Sequence, residues 1–230
     1  MTAAELVALV RKLRPPFLED LTASEIAAIV STARQRRFLA NSVMTNQGHP
    51  ASHIYMVLSG SARSFFLTES GQKLYIHWYP PGDMFGGITL VARSSMYLVS
   101  TEAIKNTNTL VWDRLTIRTL AIRYPKLFDN ALSIATNYMN LSIATRVSLT
   151  CHTARQRLAV VVANLASGIG HEVPGGVELA VRNEELAAAA NMTAFTVSRI
   201  VSEWERCKMV KKTRGKVIVR SPELLLLHEI

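Results

Sequence analysis

The chain has 230 residues, 49% of them hydrophobic, with 26 Lys and Arg against 17 Asp and Glu and a formal net charge of +9. That length holds two modest domains, each with its own core. The composition argues against a membrane-spanning reading, since no apolar run approaches the roughly 18 residues that cross a bilayer, and the opening run, broken by Arg11, Lys12 and Arg14, does not read as a signal peptide.

Two distant cysteines, Cys151 and Cys207, fit a reducing cytoplasm. They are too few for an iron–sulfur cluster, which takes about four ligands per chain.

Residues 1–37 are expected to be helical. Thr2 with Glu5 three residues on makes a capping box, and Pro15-Pro16 stops that helix. Thr22-Ala23-Ser24-Glu25 opens a second helix, with Ile26, Ile29 and Val30 facing inward. From Phe38 to about Val111 the texture turns to β. Short apolar runs at Val43-Met44, Ile54–Leu58, Ser64–Leu67, Leu74–Trp78, Tyr97–Val99 and Leu110–Trp112 alternate with turn signals. Those signals are Gly48, Ser59-Gly60, Ser70-Gly71, Pro80-Pro81-Gly82-Asp83 and Gly86-Gly87. Strands at this spacing predict a sandwich or jelly roll.

Asp113–Leu120 begins a helical return, and Arg123-Tyr124-Pro125 opens a long helix to about Leu149. Phe128, Leu132, Ala135, Met139, Ser142 and Leu149 recur at alternating four- and three-residue spacing, interrupted by Arg146. Ile134, Tyr138 and Leu141 form a second stripe beside them. Either the two stripes make one wide core face, or one packs on the barrel and the other on a partner's equivalent helix. Leu149–Thr153 reads as a hinge, and Thr153 can cap a helix carrying Leu158, Val161, Val162 and Leu165. That helix ends in Gly168–Gly176. A short strand follows at Val177–Val181, and Ser221–Leu226 reads as a final helical turn.

The stretch from Asn183 to Arg220 carries the clearest chemistry. Glu184–Ala190 is a short alanine-rich helix of strong formers. Asn191 suits the left-handed conformation of a tight turn. Thr193 supplies an N-cap for a second helix, which buries Val197, Ile200, Val201 and Trp204. Ala194, Phe195, Ser198 and Arg199 occupy its other face. Two short helices about a tight turn are the helix-turn-helix signature. Val210, Val217 and Val219 then alternate around Thr213-Arg214-Gly215-Lys216, a β-hairpin or wing. From Arg206 to Arg220 there are seven Lys and Arg and no acid. A hairpin of that charge belongs against phosphates, through Lys211, Lys212, Arg214 and Lys216.

In this order the segments resemble the Crp/Fnr family of bacterial transcription regulators over nearly the whole length. Residues 43–60 are similar to the family's first conserved barrel segment, 79–86 to the entrance of its phosphate-binding cassette, and 183–220 to its winged helix-turn-helix. The resemblance implies an α+β fold in three parts. These are N-terminal helices and a jelly-roll sensor at 1–117, a long dimerisation helix and hinge at 118–150, and a winged helix-turn-helix at 151–230. It implies a homodimer joined through the long helix, double-stranded DNA and RNA polymerase as partners, and a small-molecule effector in a cytoplasmic protein that is not an enzyme. Pairing also gives a DNA reader of one recognition helix a longer site and more affinity.

At the recognition helix, Arg199 matches the family's base-reading Arg, and a guanidinium can bond both acceptors on a guanine edge. The alternative for Arg199 is an ion pair with Glu203 at i+4. Ser198 matches a base-contacting position of the Fnr branch, and Thr193 and Thr196 can bond phosphates. Many family members carry an Arg-Glu or Val-Glu pair where this chain has Ala194-Phe195. Phe195 can touch a thymine methyl but cannot accept from a cytosine amine, so the half-site should differ from the usual consensus.

The effector cassette departs further. Cyclic-nucleotide binders of the family have Gly-Glu and, about eleven residues on, Arg-Ser. The matching residues here are Gly86-Gly87 and Tyr97-Leu98. Neither charge is present, so Tyr97 and Leu98 are expected to fill the space, or the barrel to hold a less charged ligand. Arg93 can substitute only if its loop rearranges. Ser142 falls where the long helix contacts the base in cyclic-nucleotide binders. His49, His53 and His77 leave haem ligation open, as in some relatives. The rival readings are a cyclic-nucleotide regulator with an atypical cassette, a haem or gas sensor, and a small-molecule module whose helix-turn-helix serves protein contacts.

Overall fold

The computed structural model describes residues 2–91, 95–213 and 215–229. Arg93 and Arg214 lie outside the described residues. The chain divides into two compact units, Met1–Glu69 with Tyr79–Leu141, and Ser70–Trp78 with Ser142–Ile230.

The first unit opens on α1 (Ala3–Leu13) and α2 (Ala23–Ser31), each begun by a complete capping box, Thr2 with Glu5 and Thr22 with Glu25. A 3₁₀ turn at Pro16–Leu18 separates them. The helical expectation then fails early, because residues 34–38 form a strand, β1 (Arg34–Phe38). No short-range apolar period marks it, since RQRR is polar on both faces. Its strand state comes from pairing along β8 (Thr107–Asp113), Arg34 opposite Val111 and Phe38 opposite Thr107.

The other strands before β8 are β2 (Val43–Thr45), β3 (His53–Ser59), β4 (Ala62–Leu67), β6 (Met84–Phe85) and β7 (Ser100–Ala103), with β5 (Lys73–Tyr79) falling almost wholly in the segment grouped with the second unit. The seventh lies three residues later than the expected Tyr97–Val99 run, and Met96, just before that run, forms an isolated bridge to Pro50. Two four-stranded sheets result, β1-β8-β3-β6 and β2-β7-β4-β5, the non-sequential order of a jelly roll.

Period-two alternation assigns the faces of the first sheet. Ile54, Met56, Leu58, Met84, Leu110 and Trp112 join Leu6, Val10, Ile29, Val30, Ile117 and Leu120 in one core. The Trp112 indole donates to the Ile29 carbonyl at 3.0 Å, which ties α2 to the sheet. The alternate residues Phe38, Tyr55, Val57, Phe85 and Val111 meet Met44, Ala62, Tyr79 and Ala103 inside the roll.

Four helical segments complete the frame: α3 (Ile88–Val91), α4 (Arg114–Arg123), α5 (Lys126–Cys151) and, after a break at 152–153, α6 (Ala154–Ile169). Of the two stripes on α5, Ile134 packs against the core beneath α1 and α2, and Tyr138 against the roll interior. Leu132, Met139 and Leu149 are exposed, Leu132 by 69%, and so are Ala135 and Ser142. The single wide core face is therefore not what forms.

In the second unit α6 is capped by Thr153 with Gln156. It is followed by β9 (His171–Val173), β10 (Gly176–Leu179), α7 (Asn183–Ala190), α8 (Ala194–Arg206), β11 (Val210–Thr213), β12 (Lys216–Val219) and α9 (Pro222–Glu229). Residues 171–173, expected as loop, pair antiparallel with β10, and the sheet order is β11-β12-β10-β9. Gly176 permits this close packing: a Cβ there would fall 2.1 Å from the Val219 carbonyl oxygen. One core gathers Leu158, Val162, Leu179, Leu186, Val197, Ile200, Val201, Trp204, Val217 and Leu225.

Candidate nucleic-acid interface and sensor cassette

The turn between α7 and α8 is built by its own residues. Asn191 sits at φ 50°, ψ 62°, the left-handed conformation, and its amide bonds back to the Ala187 carbonyl. The Arg157 guanidinium donates to the Ala190 carbonyl at 3.1 Å and the His152 carbonyl at 3.0 Å. It thereby satisfies helix-end acceptors that the sequence left unassigned. The Thr193 hydroxyl accepts from the Thr196 amide at 3.2 Å and caps α8. No acid lies in the first turn of that helix, so its N-terminal amides present an uncompensated partial positive charge.

Val197, Ile200, Val201 and Trp204 are all buried, as their spacing requires. This turns Phe195 outward, 79% exposed, with Arg199 exposed on the same helix and Ala194, Thr196 and Ser198 half-buried. The Arg199–Glu203 pair does not form. Glu203 instead binds the Arg155 guanidinium, which also holds Glu229 at 2.8 Å. Glu229 in turn accepts from the Trp204 indole at 2.8 Å. The Arg155 bond and contact hold the Glu229 carboxyl down at about 2. Sequence reading missed this cluster, because its members are separated by up to 74 positions.

The wing divides its cations. Lys211 is exposed. Lys212 donates through its ammonium to Ser202 at 3.0 Å and through its backbone to Glu205 at 2.8 Å. Lys216 is ion-paired with Glu178 at 2.6 Å. Of the expected phosphate contacts in the wing, Lys211 alone among the described residues forms no such bond.

In the first unit, Gly86, Gly87 and Tyr97 come together at the end of β6. Gly86 has φ +84°, and a Cβ there would meet the His53 carbonyl oxygen at 2.6 Å and the Tyr97 ring at 3.5 Å. Tyr97 is 8% exposed, and burial pushes its phenol pKa up. Leu98 does not fill the space: it is 73% exposed. Ser142 belongs to the second unit and is exposed, so the barrel-facing residue of α5 is Tyr138, whose hydroxyl donates to the Met84 carbonyl at 3.3 Å. Periodicity had marked Tyr138 as part of the second stripe without giving it a role. His49 is exposed, and the His53 Nδ1 shares a hydrogen with the Ser52 hydroxyl at 2.8 Å.

A jelly roll followed by a winged helix-turn-helix, with a capped and outward-facing second helix, joins a β domain to a DNA-reading one. Comparison with known proteins gives the same pair. The cyclic nucleotide-binding domain family matches residues 35–124, and the Crp-like helix-turn-helix domain family matches 156–227. The chain belongs to the Crp/Fnr family of transcription regulators. It is 26% identical over 216 residues to the cyclic AMP receptor protein of Thermus thermophilus, covering 94% of this chain and 96% of that one. Its fold matches FixK2 from Bradyrhizobium japonicum at a TM-score of 0.73 with 19% identity, over 84% of this chain and 95% of that one. It also matches the c-di-GMP responsive global regulator CLP of Xanthomonas campestris at 0.76 with 16% identity, over 87% and 100%. These relatives are regulators, not enzymes. Among the described residues, no helix is long and apolar enough to cross a membrane.

Proposed function

We propose that the chain is a homodimeric, sequence-specific DNA-binding regulator whose effector is not cyclic AMP. One observation carries the DNA reading: Arg199 stands exposed on α8 with no ion pair among the described residues, because its i+4 neighbour Glu203 is engaged by Arg155. A guanidinium held ready in this way suits the two acceptors of a guanine edge. Thr193 and Thr196 at the helix start and Lys211 on the wing suit phosphates. Arg214 shares the wing by sequence. Phe195 suits a thymine methyl.

Dimer formation is supported by the exposed α5 stripe of Phe128, Leu132, Ala135 and Met139. Apolar side chains at coiled-coil spacing on one helix leave a seam that a second copy can cover. RNA polymerase is the further partner that membership of this family suggests.

The cassette residues do not fit a cyclic nucleotide. A buried phosphate charge needs a cation and bonded donors. Tyr97 offers a neutral phenol already committed to the His53 backbone, and Gly87 offers no carboxylate for a ribose. The Thermus relative is named for cyclic AMP and CLP for cyclic di-GMP, so the sensor domain accommodates more than one effector chemistry within the family. Selection of bound sequences from a random duplex pool, followed by salt titration of the winning site, tests the DNA reading. A two-fold site with a steep salt slope is expected. A chain that recovers no sequence would instead be a module whose helix-turn-helix serves protein contacts.

A further inference from the structure

Beside the edge strand β1 lies a recess of about 220 Å³, lined by Thr32, Arg34, Gln35, Arg36, His53, Val111 and Asp113. It sits two strands from the Gly86 turn, across β3 and β8. Its wall is the strand that sequence reading took for helix. Arg34 and Arg36 are two residues apart on β1, so both side chains leave the same face of the sheet, about 7 Å apart along the strand. That face is the roll interior, since Phe38 continues the series into its core.

Neither guanidinium has a carboxylate partner among the described residues, and both are exposed. The Arg36 guanidinium lies over the Phe38 ring, 4.6 Å from its centroid, which holds it in place without neutralising it. Asp113 is the acid of the recess, and its two oxygens accept from the Thr116 amide and hydroxyl, both at 2.9 Å. It lies opposite His53 in the ladder, whereas Arg36 lies opposite Thr109, four residues further along β8. Arg36 is therefore about 13 Å of strand from Asp113, whereas Arg34, opposite Val111, is about 7 Å from it.

We propose that this recess binds a small metabolite through an oxyanion group, a carboxylate or a phosphate, held by Arg34 and Arg36. Planar guanidinium groups bond such oxyanions bidentately, and charge-assisted bonds of this kind are the strong ones. The volume falls below the roughly 300 Å³ at which drug-sized ligand pockets begin, which favours a small acid over a nucleotide. His53 belongs both to the recess and to the Tyr97 anchor, because its carbonyl and amide hold the Tyr97 hydroxyl. A bound ligand touching His53 thus reaches the Gly86 turn through one residue. This goes beyond the regulator reading and requires no DNA, so its failure and the failure of DNA binding are separate results.

The test titrates the full chain with succinate and with inorganic phosphate at matched ionic strength, followed by calorimetry. One anion is expected to bind saturably at about millimolar concentration or below, one per chain. Which of the two binds assigns a carboxylate or a phosphate ligand. Arg34→Gln with Arg36→Gln is expected to weaken it at least about tenfold, the loss of one charge-assisted contact. Arg37→Gln, on the opposite face of the same strand, is expected to leave it within about twofold. A second measurement uses the unaltered chain: the binding anion should protect Arg34 and Arg36, but not Arg37, from phenylglyoxal. Saturable binding by neither anion, equal loss in the Arg37 variant, or protection that spares none of the three overturns the proposal.

Discussion

The Tyr97 hydroxyl donates to the His53 carbonyl at 2.7 Å, while the His53 amide donates to the Tyr97 hydroxyl oxygen at 3.1 Å. One phenol therefore seals the turn at Gly86 onto β3. Tyr97→Phe should lower stability by about 1–2 kcal/mol, since it leaves the His53 amide without its partner, while the His53 carbonyl keeps the Thr89 hydroxyl. Thermal unfolding reads this directly. An unchanged melting temperature would mean that water replaces the hydroxyl at no cost.

The same geometry predicts how cyclic AMP binding can be installed. The wild-type chain should show no sub-micromolar affinity for cyclic AMP or cyclic GMP. A Cβ at Gly87 meets nothing within 4 Å, so Gly87→Glu meets no clash at its first side-chain atom. Combined with Tyr97→Arg it restores the carboxylate and the cation together, and cyclic AMP affinity should rise at least about tenfold. Calorimetry of the single and double variants checks it. Tight binding by the wild type would point instead to a compensating cation, with Arg93 the first residue to replace.

For DNA recognition, Arg199→Ala should cost about 1–3 kcal/mol and relax preference at one base pair per half-site. Lys211→Ala should weaken all sequences alike and lower the salt slope. Lys216→Ala should do less than Lys211→Ala, because Lys216 must first leave Glu178. Uniform loss of affinity in the Arg199 variant would remove it from base reading.

The dimer seam is tested by Ala135→Glu. Ala135 is exposed in the single chain, so the substitution does not strain the fold. In a two-fold seam it sets two like charges in apolar surroundings, an unfavourable burial. The variant should sediment as a monomer and lose operator binding. A variant that remains dimeric places the interface elsewhere.

Acid should loosen the second unit through Glu229, whose side chain is 5% exposed and whose pKa is held at about 2 by Arg155. The folded pKa lies below the usual carboxylate value near 4.3. The stabilisation is therefore complete above about pH 4.5 and lost as pH falls towards 2. Glu229→Gln should cost about 1–2 kcal/mol at pH 7, limited by the 37% exposure and screening of Arg155. It should also flatten the acid limb of the stability profile. An identical acid limb in the variant would assign that sensitivity to other carboxylates.

What the sequence by itself determined here is local. Capping residues at Thr2, Thr22, Thr153 and Thr193 opened helices where they were expected, because each cap is completed by a partner three residues away. Asn191 marked the turn, and the buried side of α8 followed from its spacing. Order along the chain was enough to indicate the family. Only the tertiary structure made residues 34–38 a strand, since their state depends on β8, about seventy positions away. It placed Tyr97 over Gly86 and left Leu98 in solvent. It also gave Glu203 to Arg155, leaving Arg199 without its i+4 partner. These outcomes turn on which charge or phenol finds which partner across the fold. That choice is set by long-range packing, which residue spacing along a chain does not encode.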